Sequence, residues 1–331
     1  MDKEEFLMKD ISTSKTPLRI SLIGGGSDLE AYYAREGYGS VISTSIDKYI
    51  YITSHKRFDD LIRASYAKTE VVDSVDKLSH QLVRESLKFL GIKKSIEVVS
   101  ISDVTAHGTG LGSSSAYTVG LLNSLSKLTN TSYNRFNLAN DACTIEIDLC
   151  GEPIGKQDQF AAAFGGLNEI IFTKDSIDVI PLNASLENIA KLENNLLLFD
   201  TGLKRKSSDI LQKQTNAYLT KRKFDSTTKL VSLVKDMKSA ILNDVDLVGD
   251  ILNEGWRIKQ SIVDGISNTH INSIYETAMA NGATGAKLCG AGGGGFLLFY
   301  VEDDNKEQLR KSLSPLRELE FNFDYEGATI L

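Results

Sequence analysis

Apolar and polar positions alternate through "LRISLIGGGSDLE" (residues 18–30), with Leu18, Ile20 and Leu22 on one face, and the run stops at three glycines. That pattern predicts a strand followed by a turn. "SVISTSIDKYIYITSH" (40–55) reads as two further strands and "SIEVVSISDV" (95–104) as another. Between them, Leu78, Leu82, Leu87 and Leu90 recur at helical spacing over residues 76–90, with Gly91 as the stop. Val119, Leu122, Leu125 and Leu128 predict a helix in "AYTVGLLNSLSKL" (116–128), and "NRFNLANDACTIEIDLCG" (134–151) predicts a second one ending at Gly151. "AFGGLNEIIFT" (163–173) and "NNLLLFDTG" (194–202) return to strand. Residues 213–261 are charged and helical, and "GATGAKLCGAGGGGFLLFYVE" (282–302) is a glycine-rich loop running into an apolar strand. The mixture predicts strands and helices in two lobes, the second helical and closed by a strand. The composition shift places the boundary between 180 and 195, giving domains 1–185 and 186–331.

Three glycine-rich elements interrupt this pattern: Gly24-Gly25-Gly26-Ser27-Asp28, the stretch "HGTGLGSSSAY" (107–117), and Gly290-Ala291-Gly292-Gly293-Gly294-Gly295. One such loop is a weak signal, and three joined to regular structure are a stronger one. In the second, Gly108, Gly110 and Gly112 permit positive φ and close approach of a ligand to the main chain. Ser113, Ser114 and Ser115 then open the predicted helix, whose free N–H groups and dipole make an anion site. A glycine turn with a serine cap would need one residue of each kind; three of each favour phosphate. The loop is no GxxxxGK[ST] element, since no Lys follows Gly112. Ser113 also stands where a dinucleotide fingerprint needs glycine.

Charge and cysteine content narrow the classes. With 37 basic against 44 acidic side chains the formal net charge is −7, which argues against a nucleic-acid coat but not against a small anionic ligand. Cys143, Cys150 and Cys289 form no CxxC pair, and the four histidines are scattered. Neither a zinc site nor a disulfide framework is indicated. The first residues lack a signal-peptide core and no apolar run approaches ~20 residues. A reduced, cytoplasmic protein with no membrane partner is expected.

"TPLRISLIGGGSD" (16–28), "GLGSSSAY" (110–117) and "GAKLCGAGGGGF" (285–296), in this order, resemble the three motifs of the GHMP small-molecule kinases. Within that family Arg19 with "GGGSD", "GKQDQFAAAFGG" (155–166) and "TGLKRKSS" (201–208) look most like bacterial D-glycero-D-manno-heptose 7-phosphate kinases. One departure is Ala106, where relatives commonly carry proline before the glycine loop. The resemblance implies an α+β fold, the two-domain GHMP fold, with an N-terminal domain like domain 2 of ribosomal protein S5 and a ferredoxin-like C-terminal domain. It implies ATP-dependent phosphorylation of the anomeric hydroxyl of a heptose 7-phosphate. Another sugar, such as fucose, galactose or an N-acetylhexosamine, is the nearest alternative. A non-catalytic sensor and a decarboxylase are more distant ones.

The resemblance also implies roles. Gly108, Thr109, Gly110, Leu111, Gly112, Ser113, Ser114 and Ser115 match nucleotide-binding positions. Ser114 and Glu146 match the Mg²⁺ ligands, with Asp148 a rival that spacing alone leaves open. Asp158 matches the group that accepts or orients the hydroxyl proton, and Arg19 the cation beside it. Gly25, Gly26, Ser27 and Asp28 match the acceptor-binding turn. Lys156 and Arg205, within the run Lys204-Arg205-Lys206, are candidates for a substrate phosphate, and Gly292 and Gly293 are expected to close the substrate side. The expected partners are ATP and a small sugar phosphate, with no nucleic acid. A homodimer is compatible with the sequence, which leaves the oligomeric state open.

Overall fold

The structure, a computed structural model, describes residues 11–104, 108–203, 221–262 and 265–331, with the side chains of 221–223 also outside the described set. Ala106, His107 and the basic run Lys204-Arg205-Lys206 therefore lie outside the described residues. β1 (Ile11–Ile23) pairs antiparallel with β2 (Gly39–Lys56) along nearly its whole length. The two strands expected from residues 40–55 are one strand of 18 residues. It pairs first with β6 (Leu167–Phe172) and then with β5 (Ile96–Ser102). The polar pair Asp47-Lys48 falls where the β1 register shifts. There Asp47 bonds to Asn322 through both backbone and side chain instead, so the strand bulges without ending. β3 (Ile62–Ser65) and β4 (Thr69–Val72) extend one edge, and β7 (Ile177–Pro181) pairs with β6.

The helix spacing is mostly reproduced, with two local differences. The helix predicted over 76–90 begins only at α2 (Gln81–Phe89), where the His80 ring accepts from the Val83 N–H at 3.5 Å; a 3₁₀ turn, Val75–Lys77, precedes it. The predicted helix 134–151 is α4 (Arg135–Cys143) continued by a π-helical turn, Thr144–Leu149. Such a wide turn rotates the following side chains out of α-helical phase.

α3 (Ser113–Leu128) crosses β1 and is buried on all sides except at Ser114 and Lys127. Gly120 sets how close it comes. Its carbonyl accepts from the Ser14 hydroxyl at 2.7 Å, and a Cβ there would lie 2.8 Å from Thr16 Oγ1. α1 (Glu30–Glu36) follows the first glycine turn, and α5 (Gln157–Phe164) lies beside α3 and α4.

A second sheet has the order β8-β10-β9, built from β8 (Leu196–Asp200), β9 (Ala283–Leu288) and β10 (Phe296–Val301). β8 directly follows α6 (Leu186–Asn195). α7 (Lys221–Asn243), α8 (Val248–Gln260) and α9 (Thr269–Ala280) separate β8 from β9, and α10 (Asp303–Ser312) follows β10. Residues 317–319 then run along β8, with Asp200 N–H bonded to Arg317 O and Leu319 N–H to Leu198 O. The resulting spatial order is that of the ferredoxin-like fold expected for this half. α8 presses onto β9, where a Cβ on Gly285 would meet Gly249 O at 1.8 Å.

The chain does not close on this sheet, as the apolar pattern suggested. Residues 322–331 return to the first one, where β11 (Thr329–Ile330) pairs with Ser14 and Lys15 of β1. The buried core is correspondingly continuous from Leu18, Ile20 and Leu122 to Leu198, Leu252 and Tyr300. Replacing Gly120 by valine forces α3 away from β1, and should lower the unfolding free energy by about 1–3 kcal/mol in urea titrations.

Candidate active site

Helix α3 starts from a backbone that only glycine adopts without strain. Gly108, Gly110 and Gly112 have φ of +74°, +77° and +74°, and Gly112 is the N-cap, with no side-chain cap bond. None of the three serines caps the helix, so their hydroxyls are committed elsewhere. Ser113 pairs with Thr109 at 3.0 Å, while Ser114 donates to Glu146 Oε1, also at 3.0 Å. The first-turn N–H groups of such a helix start can bind an anion.

Arg19 ties this loop to α5. Its Nε and Nη2 donate to the two oxygens of Asp158 at 2.7 and 2.6 Å, in the planar fork geometry that favours Arg over Lys. Its Nη1 donates to Gly110 O at 2.6 Å, and its backbone N–H to Leu111 O at 3.0 Å. The guanidinium is 4% exposed, so this is an internal connection between strand, loop and helix. The Arg19 stem also fills the space where a Gly112 side chain would stand, since a Cβ would lie 3.0 Å from its Cγ.

Asp28 stands beside this pair. It accepts from Gly26 N–H at 2.9 Å and Gln157 N–H at 3.3 Å, which joins the first glycine turn to the start of α5. Burial raises its pKa, and the charge of Asp158 adds to that. Glu146 is fully buried at the π-helical turn. Burial pushes its pKa up to about 7 against hydrogen bonds from Ser115, Gln159 and Ser114. Asp148, its rival by spacing, is exposed and outside the cavity lining. The π turn sets Glu146 inward and Asp148 outward.

All these groups line one cavity of about 1000 Å³. At one end Tyr66, His80 and Tyr117 form an aromatic wall. The His80 ring lies parallel to Tyr117 at 5.1 Å and edge-on to Tyr66 at 4.4 Å. Glu70 holds this wall by accepting from Tyr66 Oη, Ser79 N–H and His80 N–H at 2.7, 2.7 and 3.1 Å. At the other end α8 contributes Leu252, Gly255, Trp256 and Lys259, and β9 contributes Lys287. The spacing 252, 255, 256, 259 is one helix face, so a lysine completing an apolar stripe was a signal already in the sequence. Lys287, flanked by the buried Ala286 and Leu288 in a strand that is buried apart from Thr284, was another. Neither lysine was among the residues expected from sequence.

Several expected residues are placed differently. Ser27 is fully buried, with its hydroxyl bonded to both the N–H and the carbonyl of Ser40, and is outside the cavity lining. Leu111 is a core side chain. Lys156 sits over the Tyr33 ring at 5.8 Å, not in the lining. Gly292 and Gly293 pack on Ile266, to whose carbonyl Gly293 N–H donates, and do not line the cavity. The third loop instead docks on the second. A Cβ on Gly110 would lie 2.4 Å from Cys289 O, one on Gly290 would lie 2.5 Å from Gly110 Cα, and Phe296 N–H bonds to Thr109 O. Gly290 and Gly295 make this loop-to-loop contact, Gly294 packs against Leu203, and only Gly290 and Ala291 of the loop face the cavity. Arg205 lies outside the described residues.

Comparison with known proteins agrees with this architecture. Residues 73–166 match the GHMP kinases N terminal domain and residues 233–315 the GHMP kinases C terminal domain. The chain is 32% identical to a D-glycero-alpha-D-manno-heptose 7-phosphate kinase of Campylobacter jejuni, over 97% of this chain and 98% of that one. It is 27% identical to a galactokinase of Pyrococcus furiosus, covering 95% of each. A D-glycero-D-manno-heptose 1-phosphate kinase structure from Bacteroides thetaiotaomicron superposes with a TM-score of 0.79 at 26% identity, covering 97% of this chain and 98% of that one. The protein belongs to the GHMP kinase family, and is a phosphotransferase with an alcohol group as acceptor. Within the family it is a sugar kinase. Among the described residues no helix is long and apolar enough to cross a membrane.

The hydrogen bonds to Glu70 carry a pH signature. Burial works against its charge, but the donors Tyr66, Ser79 and His80 outweigh it and hold the carboxyl at about 2, below its usual 4.5. A depressed carboxyl stabilises the fold fully above pH 4.5, and that stabilisation is lost as pH falls through the native value. Between pH 6 and pH 3 the wild type should lose about 1–2 kcal/mol more stability than Glu70→Gln, measured by urea denaturation at each pH.

Proposed function

We propose that this protein transfers the γ-phosphoryl group of ATP to the anomeric hydroxyl of D-glycero-D-manno-heptose 7-phosphate, giving the 1,7-bisphosphate in the cytoplasm for nucleotide-activated heptose synthesis. The observation that supports the chemistry is the Arg19–Asp158 pair, held by Gly110 at the mouth of α3. It brings a carboxylate, a cation and an anion-binding helix start into one cavity. The choice of heptose phosphate rests on similarity to the Campylobacter kinase over almost the full length of both chains. We place the division between the two halves at residues 185 and 186.

In this reading the phosphates of ATP lie on the N–H groups of Gly108 to Ser115, and the base lies against Tyr66, His80 and Tyr117. The acceptor enters at the Gly25-Gly26 turn, with Asp28 receiving sugar hydroxyls. Asp158 accepts the hydrogen bond of the attacking hydroxyl. The acceptor oxygen forms the new bond to Pγ, the bond from Pγ to the β–γ bridging oxygen breaks with its electron pair leaving on ADP, and the hydroxyl proton passes to Asp158. A loose transition state asks more for position than for basicity. Arg19 fixes the Asp158 rotamer through two bonds and places positive charge beside the group in transit.

Ser114 and Glu146 would hold Mg²⁺. They are hard oxygen donors 3.0 Å apart, and Glu146 is a buried carboxylate with no cation paired to it among the described residues, a charge that burial disfavours. A bound Mg²⁺ supplies positive charge to the phosphates.

A second reading is the same chemistry on an unphosphorylated sugar, favoured by the similarity to galactokinase. Mass spectrometry of products from a panel of sugars and sugar phosphates with ATP separates them. Heptose 7-phosphate should exceed free fucose, galactose and N-acetylhexosamines in kcat/KM by at least about 100-fold. A free hexose as the best acceptor would replace the first reading. Asp158→Asn should lower kcat by about 100-fold or more while leaving the ADP affinity within a few-fold. Wild-type kcat in that variant would remove Asp158 from the reaction.

A further inference from the structure

We propose that Lys259 and Lys287 form a phosphate-binding subsite on the wall of the cavity contributed by α8 and β9. The inference deepens the sugar-kinase reading and rests on it for the ligands named below.

Both ammonium groups are anchored to backbone carbonyls. Lys259 Nζ donates to Leu288 O at 3.2 Å and to Gly290 O, and Lys287 Nζ donates to Leu22 O at 2.9 Å and to Ser21 O. Each ammonium has three donors, so each keeps one N–H beyond these contacts. Neither makes an ion pair with any carboxylate among the described residues, although Lys287 is only 7% exposed. A buried cation without a counter-ion is costly. Lys259 is partly buried, and an anion entering the cavity would lower this cost at both residues together.

The anchors also say where the anion lies. Lys259 is fixed to Gly290, which stands back to back with Gly110 of the second glycine loop. Lys287 is fixed to the end of β1, just before the first glycine turn. The pair therefore spans from the loop assigned to the nucleotide to the turn assigned to the acceptor. A phosphate there comes from one of two sources, the γ-phosphate of ATP or the phosphate of the acceptor.

The charged and titratable groups facing the pair are Arg19 from β1, Asp28 from the turn after it, and the thiol of Cys289 next to Lys287, whose pKa burial pushes up. Burial and then Lys259 hold Lys287 at about 7, with Cys289 opposing and Arg19 adding to them. Burial holds Lys259 at about 8, with Arg19 also lowering it and Cys289 and Asp28 opposing. A bound phosphate raises both values, so at pH 8 binding takes up protons.

Trp256 is the only tryptophan in the chain and lines the same cavity one helical turn before Lys259. Its fluorescence can report binding of ADP, ATP, heptose 7-phosphate and the unphosphorylated heptose to wild type, Lys259→Met, Lys287→Met and Lys287→Arg. At least one phosphate ligand should bind tenfold or more weakly to each methionine variant, while the unphosphorylated heptose stays within threefold. A loss confined to heptose 7-phosphate identifies the acceptor as the source, and a loss for ATP but not ADP identifies the γ-phosphate. Lys287→Arg should restore most of the affinity.

Methionine variants that fold with a wild-type thermal midpoint and bind every phosphate ligand within threefold would overturn the subsite. If they do not fold, calorimetry of the wild type in buffers of different ionisation enthalpy decides. Proton uptake on binding at pH 8 supports the subsite, and none overturns it. Failure of the substrate reading looks different. There the wild type turns over a free hexose and rejects heptose 7-phosphate, while the nucleotide arm still reads the lysines.

Discussion

The Arg19 guanidinium is the constraint on which the rest of the site depends. It is one planar group with donors used in three directions: two to Asp158 and one to Gly110. Because the donors are coplanar and rigid, fixing any two partners fixes the third. The strand supplies the arginine, the loop before α3 supplies the carbonyl, and α5 supplies the carboxylate. Three elements distant in sequence thus share one geometry. The burial of Arg19 keeps water from competing for those bonds.

Glycine does a second, quieter job. The loops at 108–112 and 290–295 touch backbone to backbone, with Gly110 and Gly290 each in the space a side chain of the other would need. The same economy brings α8 onto β9 at Gly249 and Gly285, and α3 onto β1 at Gly120. These contacts pull the second sheet and its helices against the glycine loop, and they carry Trp256, Lys259 and Lys287 to the cavity wall. The glycine-rich loops are thus as much joints between layers as ligand cradles.

The interior of the site is unusually charged for a buried space. Glu146 and Asp28 are raised by burial while Lys259 and Lys287 are lowered by it. Each is a group whose ionised form the protein alone does not fully stabilise. In the proposed reaction, phosphates and a divalent cation would be the counter-charges for such a set. Groups that make the empty protein less stable than it could be are the ones that distinguish a charged ligand.

Much of this was legible in residue order. Alternation in 18–23 and helical spacing in 116–128 marked the strand and the helix, and the three glycine elements marked the loops around the cavity. These signals are local, set by side-chain period and by the backbone freedom of glycine. The resemblance to a known family, more than any local pattern, pointed to Arg19, Asp28, Glu146 and Asp158, the four charged groups that the fold brings to one cavity. Tertiary structure decided what depends on contacts between distant segments. It made one long strand of residues 39–56, because Asn322 takes over the bonds at Asp47. It turned Glu146 inward and Asp148 outward through a π-helical turn. It withdrew Ser27, Lys156, Gly292 and Gly293 from the cavity by giving them partners elsewhere, and brought in Lys259 and Lys287. A residue type states which bonds a side chain can make, but the partner it meets is set by packing across the whole chain.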